Sequence, residues 1–171
     1  MKLLILLAVL VAAAWFVPAP VSHVESAIEI SAPRERVWTI LADVTSARLW
    51  DRQMREVTIT STAKSGVGTE RASNGPVVKT RERVTEWVPY NRLELVVEHD
   101  PKLTKFETSR IEMTPSGATG THVRWSLDYQ MNGGYLGNLA DRFLLGGTHQ
   151  GRIDDGLARL KRYAETGDVM P

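Results

Sequence analysis

Hydrophobic and polar residues alternate over many short stretches of this chain, a pattern typical of β-strands with one buried face. The most regular stretch is the last, where Val123, Trp125, Leu127 and Tyr129 share one face and polar residues occupy the other. Turn signals rich in glycine, proline and asparagine separate the stretches, so successive strands are expected to pair in an antiparallel sheet. The pattern predicts strands at 22–31, 55–63, 69–73, 77–88, 92–99, 105–114 and 119–131.

Helical spacing of apolar residues appears in two regions. After the first strand, Pro33 stands near a favourable first helical position, and Val37, Trp38 and Leu41 follow at helical spacing. A second short helix or turn is expected at 45–50.

Residues 135–165 also have helical spacing and predict one long C-terminal helix of about 46 Å, at roughly 1.5 Å per residue. This helix would contain the glycines Gly137, Gly146, Gly147, Gly151 and Gly156. Each interior glycine costs about 1 kcal/mol relative to alanine. Two interpretations stay open: the helix breaks or kinks at Gly146 and Gly147, or the missing side chains leave space between helix and sheet.

The first 17 residues, MKLLILLAVLVAAAWFV, are hydrophobic apart from Lys2. As a helix the run 3–17 would measure about 22 Å. Its length lies between a signal-peptide core of about 7–15 residues and a spanning helix of about 17–25. Small residues allow cleavage after Ala14, whereas an uncleaved segment would place Trp15 and Phe16 at the membrane interface. A plain buried helix is the third interpretation.

Both membrane-related interpretations place the rest of the chain outside the cytoplasmic membrane, because Lys2 favours an N-terminus that stays inside. The expected location is therefore exported, either anchored by the N-terminus or secreted or periplasmic. We divide the chain into a signal peptide or N-terminal membrane anchor at 1–21, one domain at 22–166 and a short tail at 167–171.

Charge and composition exclude several classes of function. The chain has 21 basic and 20 acidic side chains, so it lacks the basic excess typical of nucleic-acid-binding proteins. It has no cysteine, which excludes disulfides, iron–sulfur clusters and thiol nucleophiles. Its sequence contains no zinc-protease motif, phosphate loop, dinucleotide fingerprint or nucleophile elbow. We expect no metal, no cofactor and no nucleic-acid partner, and any chemistry would fall to carboxylates, histidines and tyrosines.

The charged strand KTRERVTE offers candidate acid–base residues. If Val84 points inward, Glu82 and Glu86 share its side, and an inward Glu82 would suit acid–base work or binding of a polar ligand group. If Trp87 points inward instead, Arg81 and Arg83 enter the interior; a third possibility is a charge ladder on the outer surface.

Tyr129 and His149 complete the catalytic candidates. His149 lies five residues before Asp154, which is not the spacing of helical neighbours, so a metal site at His149 is not expected. We expect a loop role for His99, at the end of its strand, and a solvent-exposed position for His122.

Several segments together resemble a known family. They are IEISAPRERVWTILADV from Ile28 onward, VGT at 67–69, ERVTEWVPYNRLEL at 82–95 and MTPSGATGTHVRWSLDY at 113–129. These segments resemble the polyketide cyclase/dehydrase and lipid-transport group of the SRPBCC superfamily. The resemblance implies the START-like, or Bet v 1-like, helix-grip fold of class α+β, in which a curved antiparallel sheet of about seven strands wraps a long C-terminal helix.

The resemblance also implies a cavity between sheet and helix. The strand pattern supports this arrangement, because the apolar sheet face needs a cover and the last helix is the only long element available. We expect the wall to comprise Leu95, Val97, Ile111, Met113, Val123, Trp125, Leu127 and Tyr129. The helix side would contribute Phe143, Gly146, Gly147 and Gln150, and the rim would contain Trp50 and Met54.

The leading functional hypothesis is binding of a hydrophobic small molecule or lipid in this cavity. The first alternative is a cyclase- or dehydratase-type enzyme that uses Glu82, Glu86, Tyr129 and His149 in the same cavity. The second is an envelope interaction or scaffold protein with a filled cavity. Whether the protein is an enzyme stays open at this point.

Overall fold

The computed structural model describes residues 2, 17, 18, 20–76, 78–100, 102, 104–145 and 147–170. It confirms the predicted curved, seven-stranded antiparallel sheet. The strands are β1 (Ser22–Ile30), β2 (Glu56–Ile59), β3 (Glu70–Asn74), β4 (Lys79–Val88), β5 (Arg92–Asp100), β6 (Thr104–Ser116) and β7 (Gly120–Met131). Their order across the sheet is β1-β7-β6-β5-β4-β3-β2, so the first and last strands pair side by side.

The helices cover one face of this sheet. They are α1 (Arg34–Ala42), α2 (Ala47–Trp50), α3 (Gly134–Ala140), a π-helical turn (Asp141–Leu145) and α4 (Thr148–Thr166). Helix α4 packs against β1, β7 and α2. Its apolar side chains Ile153, Leu157 and Leu160 are fully buried, as the helical spacing predicts.

The C-terminal region is not one continuous helix over 135–165, and the interpretation of a break is confirmed. Helix α3 gives way to the π-helical turn, and α4 begins only at Thr148. The preceding Gly147 has φ of +88°, a left-handed conformation that glycine adopts without the steric cost of a side chain.

Gly156 does not leave open space between α4 and the sheet. A Cβ atom at this position would lie 2.5 Å from the Trp125 ring, so the absent side chain lets α4 approach the sheet closely. The indole is buried there, and its Nε1 donates a hydrogen bond to Ser109 Oγ at 2.9 Å.

The two alternatives for the charged strand are resolved by a bulge in β4. Glu82 and Val84 point inward and are buried, but the register with β5 shifts between Val84 and Glu86. The extra residue changes the alternation, so Trp87 also packs against the core, where it meets Trp38 edge-on at 5.1 Å. Strict alternation along β4 would allow only one of Val84 and Trp87 to face the core, and alternation alone does not reveal a bulge.

The predicted leader lies almost wholly outside the described residues, since only Lys2, Val17, Pro18 and Pro20 of 1–21 are described together with Val21. Within the described part of the chain, no helix combines the length and hydrophobicity needed to cross a bilayer.

Substitution of two glycines in α4 tests the close approach at Trp125. Gly156→Ala should lower the free energy of unfolding by about 1–3 kcal/mol, because the new Cβ overpacks the core. Gly151→Ala is the matched control: no atom lies within 4 Å of its added Cβ, so it should raise that free energy by roughly 0.5–1 kcal/mol. Urea denaturation measures both, and stabilisation by both substitutions would contradict the packing described.

Candidate functional site

A small enclosed cavity of about 20 Å³ lies between the sheet and the helices, roughly the space that one water molecule requires. Part of its wall is apolar and comes from Trp50, Leu95, Ile111 and Trp125, all expected at the site. Charged side chains also line it, namely Asp43, Asp51, Arg71, Glu82 and Arg152. Glu107 lies beyond Arg152, and His99 pairs with Glu107. We name six buried or half-buried residues in and beside this wall the interior charge network; they are Asp51, Arg71, Glu82, His99, Glu107 and Arg152.

The first pair in this network joins β3 and β4. Arg71 Nε donates to Glu82 Oε2 at 2.6 Å, and the same guanidinium also donates to the carbonyl of Val44. Both side chains are buried. Glu82 is therefore inward, as one alternative predicted, but it is held in an ion pair instead of standing alone as an acid.

Arg152 lies at the centre of the network. Its Nη2 donates to Asp51 Oδ2 at 2.8 Å, its Nη1 lies 3.7 Å from Glu107 Oε1, and its guanidinium lies over the Trp125 ring at 5.7 Å from the ring centre. Burial lowers the pKa of Arg152, but the carboxylates of Asp51 and Glu107 outweigh burial and raise it above its usual range. The cation is thus fixed by two carboxylates and an aromatic face.

Glu107 and His99 extend the network toward the far end of β5. Glu107 is 0% exposed, and its Oε2 lies 2.7 Å from His99 Nε2. Burial raises the pKa of Glu107, but the hydrogen bond and charge of His99, with the charge of Arg152, bring it below its usual value. The loop role predicted for His99 is wrong, because its side chain is buried against this carboxylate.

A second group lies beside the network, under the segment that joins β7 to α4. Tyr129 Oη donates to Asp141 Oδ2 at 2.9 Å, and the Tyr129 and His149 rings lie 4.3 Å apart. Burial and Asp141 raise the pKa of Tyr129 to about 12, so the phenol keeps its proton at neutral pH. Burial lowers the pKa of His149 against the opposing charges of Glu107 and Asp141, which favours a neutral imidazole.

Three buried polar atoms here have no hydrogen-bond partner. They are His99 Nδ1, Glu107 Oε1 and Asp141 Oδ1; Thr69 Oγ1 is the other such atom in the described part of the chain. Ion-pair distances of 3.7 Å to Arg152 and 3.8 Å to His149 are too long to satisfy the two carboxylate oxygens. Unsatisfied buried groups are costly, so their concentration in one place marks a candidate site.

Other predicted site residues lie elsewhere. Glu86 pairs with Arg92 in a half-exposed position on the sheet, away from the other acid–base candidates. Phe143 is 74% exposed, Gly147 is exposed, and the Gln150 amide donates to the Glu25 carbonyl and to Asp154. These three do not line the interior, and Gly146 lies outside the described residues.

The rim residues are also placed differently. Trp50 and Met54 are buried, with Trp50 packed edge-on against Trp125 at 5.6 Å. The remaining wall residues are buried as predicted; they are Val97, Met113, Val123 and Leu127.

Two of the missed residues carried a signal in the sequence. Glu107 lies four residues before Ile111 on β6, and His99 lies four residues after Leu95 on β5, so each shares the inward face of its strand. Alternation continued to the strand ends therefore predicts that both side chains point inward. His122, by contrast, lies on the outer face against Glu29, as its alternation predicts. Asp51 follows α2 and has no periodic signal of its own.

The described residues include no group of three or more histidine and carboxylate side chains placed to hold a metal ion. The arrangement can bind a polar group and can exchange protons with it through Tyr129 and His149.

Comparison with protein families now adds to this geometry. The sequence model of the family described as "Polyketide cyclase / dehydrase and lipid transport" matches residues 22–165. The chain belongs to this family. A comparison with curated proteins finds no match.

Solved structures with the same fold come from bacteria and a plant. A Thermus thermophilus protein is 22% identical with a TM-score of 0.67, covering 84% of this chain and 97% of its own. A Nitrosospira multiformis protein is 15% identical with a TM-score of 0.68, covering 85% and 98%. Truncated norcoclaurine synthase from Thalictrum flavum is 13% identical with a TM-score of 0.65, covering 84% and 95%. At these identities the likeness shows the shared fold alone.

Removing the central guanidinium tests the interior charge network. Arg152→Met should lower the free energy of unfolding by about 3–5 kcal/mol, because it leaves the buried Asp51 and Glu107 carboxylates without their cation. Arg92→Met is the control: Arg92 bridges two half-exposed glutamates on the sheet, and its loss should cost about 0–1 kcal/mol. Chemical denaturation at neutral pH measures both, and equal losses would contradict a central role for Arg152.

The pH dependence of stability tests the burial of His149. The pKa of His149 is lowered in the folded protein, so the unfolded chain takes up the proton more readily. The free energy of unfolding therefore decreases as the pH is lowered below about 6.5. His149→Gln should flatten that fall. Urea unfolding over about pH 5 to pH 8 measures the profile, and an unchanged profile below about pH 6.5 would contradict a buried neutral imidazole.

His23 is the control of opposite sign. Its hydrogen bond with Asp128 raises its pKa, so its contribution is present below about pH 6.5 and is lost as the pH rises through the raised value. His23→Gln should change the profile above about pH 6.5 and leave the fall at lower pH intact.

Proposed function

We propose that this protein binds a small molecule with an apolar body and a hydrogen-bond-donating group in the interior between the sheet and the C-terminal helices. One observation carries the proposal. Buried, unpartnered atoms of Glu107, Asp141 and His99 lie close together, and Arg152 connects Glu107 to the cavity whose apolar wall includes Trp125 and Leu95. Binding sites for small molecules combine apolar walls with a few placed polar groups in this way.

The charges of the interior determine the kind of polar group that fits. The buried carboxylates of Asp51, Glu82 and Glu107 face the guanidiniums of Arg71 and Arg152. A fourth buried carboxylate, Asp141, lies beside His149, so carboxylates outnumber guanidiniums in this interior. Two of the unpartnered atoms are carboxylate oxygens, which accept hydrogen bonds. A hydroxyl or an amine would satisfy them, whereas a ligand carboxylate would add a like charge.

The cavity of about 20 Å³ is too small for such a ligand, so binding requires part of the wall to move. The segment from α3 through the π-helical turn does not line this cavity, but it contacts Tyr129 and His149 through Asp141, and we propose that it moves as well. Asp141 joins it to Tyr129, and glycines with positive φ, Gly133 and Gly147, flank it. Outward displacement of this segment would expose the Tyr129 and His149 group first.

We further propose that the domain works on the outer side of the cytoplasmic membrane. The support is the composition of residues 1–17, which are hydrophobic apart from Lys2. Residues 1–21 then act as a signal peptide or as a membrane anchor, and the ligand is one that the membrane or the compartment outside it supplies.

Ligands of matched chain length test the proposed specificity. Dodecylamine, dodecanol and dodecanoic acid share an apolar body and differ in their polar group. Each is titrated against the protein loaded with Nile red, and organic-solvent extracts of the freshly purified protein are examined by mass spectrometry. The amine and the alcohol should displace the dye at lower concentration than the acid, because the interior carboxylates accept hydrogen bonds and repel an anion.

The variants Glu107→Gln and Glu112→Gln form a matched pair on β6. Glu107 is inward, and Glu112 lies on the outer face in an ion pair with Arg92. Glu107→Gln should weaken the amine by about tenfold or more, the equivalent of losing one hydrogen bond to a charged group, while Glu112→Gln should leave it unchanged. Absence of copurified small molecules together with absence of dye binding would overturn the proposal and favour a scaffold with a filled interior.

A cyclase- or dehydratase-type enzyme is the second candidate. It is favoured by the pairing of a protonated phenol at Tyr129 with a neutral imidazole at His149, which supplies a proton donor and a proton acceptor side by side. Norcoclaurine synthase, crystallised with dopamine and hydroxybenzaldehyde, shows that a protein of this fold can hold two small molecules. Recovery of a bound molecule with altered mass after incubation would indicate turnover, whereas recovery unchanged would indicate binding alone.

A further inference from the structure

An apolar stripe runs along the outer side of the segment between β7 and α4. Tyr135 and Leu139 lie four residues apart on the same face of α3, and Phe143 follows after four more residues in the π-helical turn. Their exposed fractions are 49%, 38% and 74%. Asp141, between them in sequence, points inward to Tyr129. The polarity of this segment is therefore the reverse of an ordinary surface helix, whose apolar face is turned inward.

Other exposed apolar residues lie at the same end of the sheet, where β1 and β6 begin and β7 ends. These residues are Val17, Val21 and Phe106. The carbonyl of Val17 accepts a hydrogen bond from the Tyr135 amide at 2.9 Å, which joins the chain before β1 directly to the first residue of the stripe. A concentration of exposed apolar residues of this kind indicates an interaction site.

The sequence before Val17 and the nearby charges indicate what the stripe contacts. Residues 3–16 are all hydrophobic and are joined to the domain at this point. Three basic side chains are exposed in the neighbouring segments. Arg142 precedes Phe143, the carbonyl of Lys102 accepts a hydrogen bond from the Asn132 amide, and Lys105 follows in β6. Aromatic and aliphatic side chains bordered by lysine and arginine are typical of surfaces that lie in a lipid interface.

We infer that the stripe of Tyr135, Leu139 and Phe143 rests in the headgroup layer of a lipid bilayer, beside the point where the N-terminal segment joins the domain. The inference rests on the proposed membrane location and is independent of the interior ligand. It differs from anchoring by residues 1–21, because it assigns membrane contact to the folded domain itself. The contact holds the domain in one orientation, with the α3 segment toward the lipid.

The absence of cysteine makes a direct test possible. Phe143→Cys and Val67→Cys each introduce a single labelling site into the full-length chain. Val67 is the matched control, since it is an apolar residue with 63% exposure in the turn before β3, at the opposite end of the sheet. Each variant carries a polarity-sensitive dye and is mixed with vesicles of phosphatidylcholine containing phosphatidylglycerol. Co-sedimentation reports binding, and iodide in the water and a nitroxide-labelled lipid report the depth of the dye.

With vesicles, the dye at position 143 should shift to the blue, lose its quenching by iodide and become quenched by the nitroxide lipid. The dye at position 67 should show none of these changes. If the chain sediments with vesicles while both dyes stay accessible to iodide, the N-terminal anchor stands and the stripe contact is overturned. Failure to sediment overturns both.

Protection of position 143 without vesicles would also overturn the inference. Protection that is independent of protein concentration would mean that the N-terminal segment covers the stripe, and protection that grows with concentration would mean that a second copy does. Circular dichroism and the thermal midpoint of each labelled variant, compared with those of the unmodified protein, confirm that both remain folded. If the thermal midpoint is lowered only in the variant labelled at position 143, the vesicle measurement is repeated with Leu139→Cys. The dye at position 139 must then show the same depth in the bilayer.

Discussion

A guanidinium held between two carboxylates over an indole ring determines how this interior is built. Arg152 can be buried only because Asp51 and Glu107 supply opposite charge and Trp125 supplies an aromatic face. The indole in turn fits under α4 only because residue 156 is glycine. Ion pairing and close packing are therefore parts of one arrangement, and a change at either point affects both.

Much of the fold could be predicted from the sequence, because the sheet depends on period-two alternation and the turns on glycine and proline. The charged interior was harder to predict for a physical reason. Glu107 and His99 lie at the ends of inward faces whose apolar members were recognised, and a charged residue at such a position is ordinarily assigned to the solvent. The pairing partner that makes burial tolerable lies on another element, as Arg152 does for Glu107, and pairing between distant elements has no local pattern.

Irregularities account for the other errors. The bulge in β4 lets Glu82 and Trp87 both face the core, because it reverses the side to which later residues of the strand point. The expected single helix over 135–165 is interrupted between Phe143 and α4, so Phe143 cannot be assigned to the buried face of Ile153 and Leu157. Asp141 and Phe143 are two residues apart in a helical turn, and they therefore point to opposite sides.

The segment between β7 and α4 therefore has a polar inner side and an apolar outer side. Its inner side holds Asp141 against Tyr129, close to the acid–base group, and its outer side exposes apolar residues that water solvates poorly. A cavity of water size cannot admit a ligand unless the structure around it moves, and displacement of this segment would break the hydrogen bond between Asp141 and Tyr129. An apolar surface that receives Tyr135, Leu139 and Phe143 would offset that cost by removing them from water. The proposed membrane contact and the proposed route to the interior would therefore involve the same segment, although either can hold without the other.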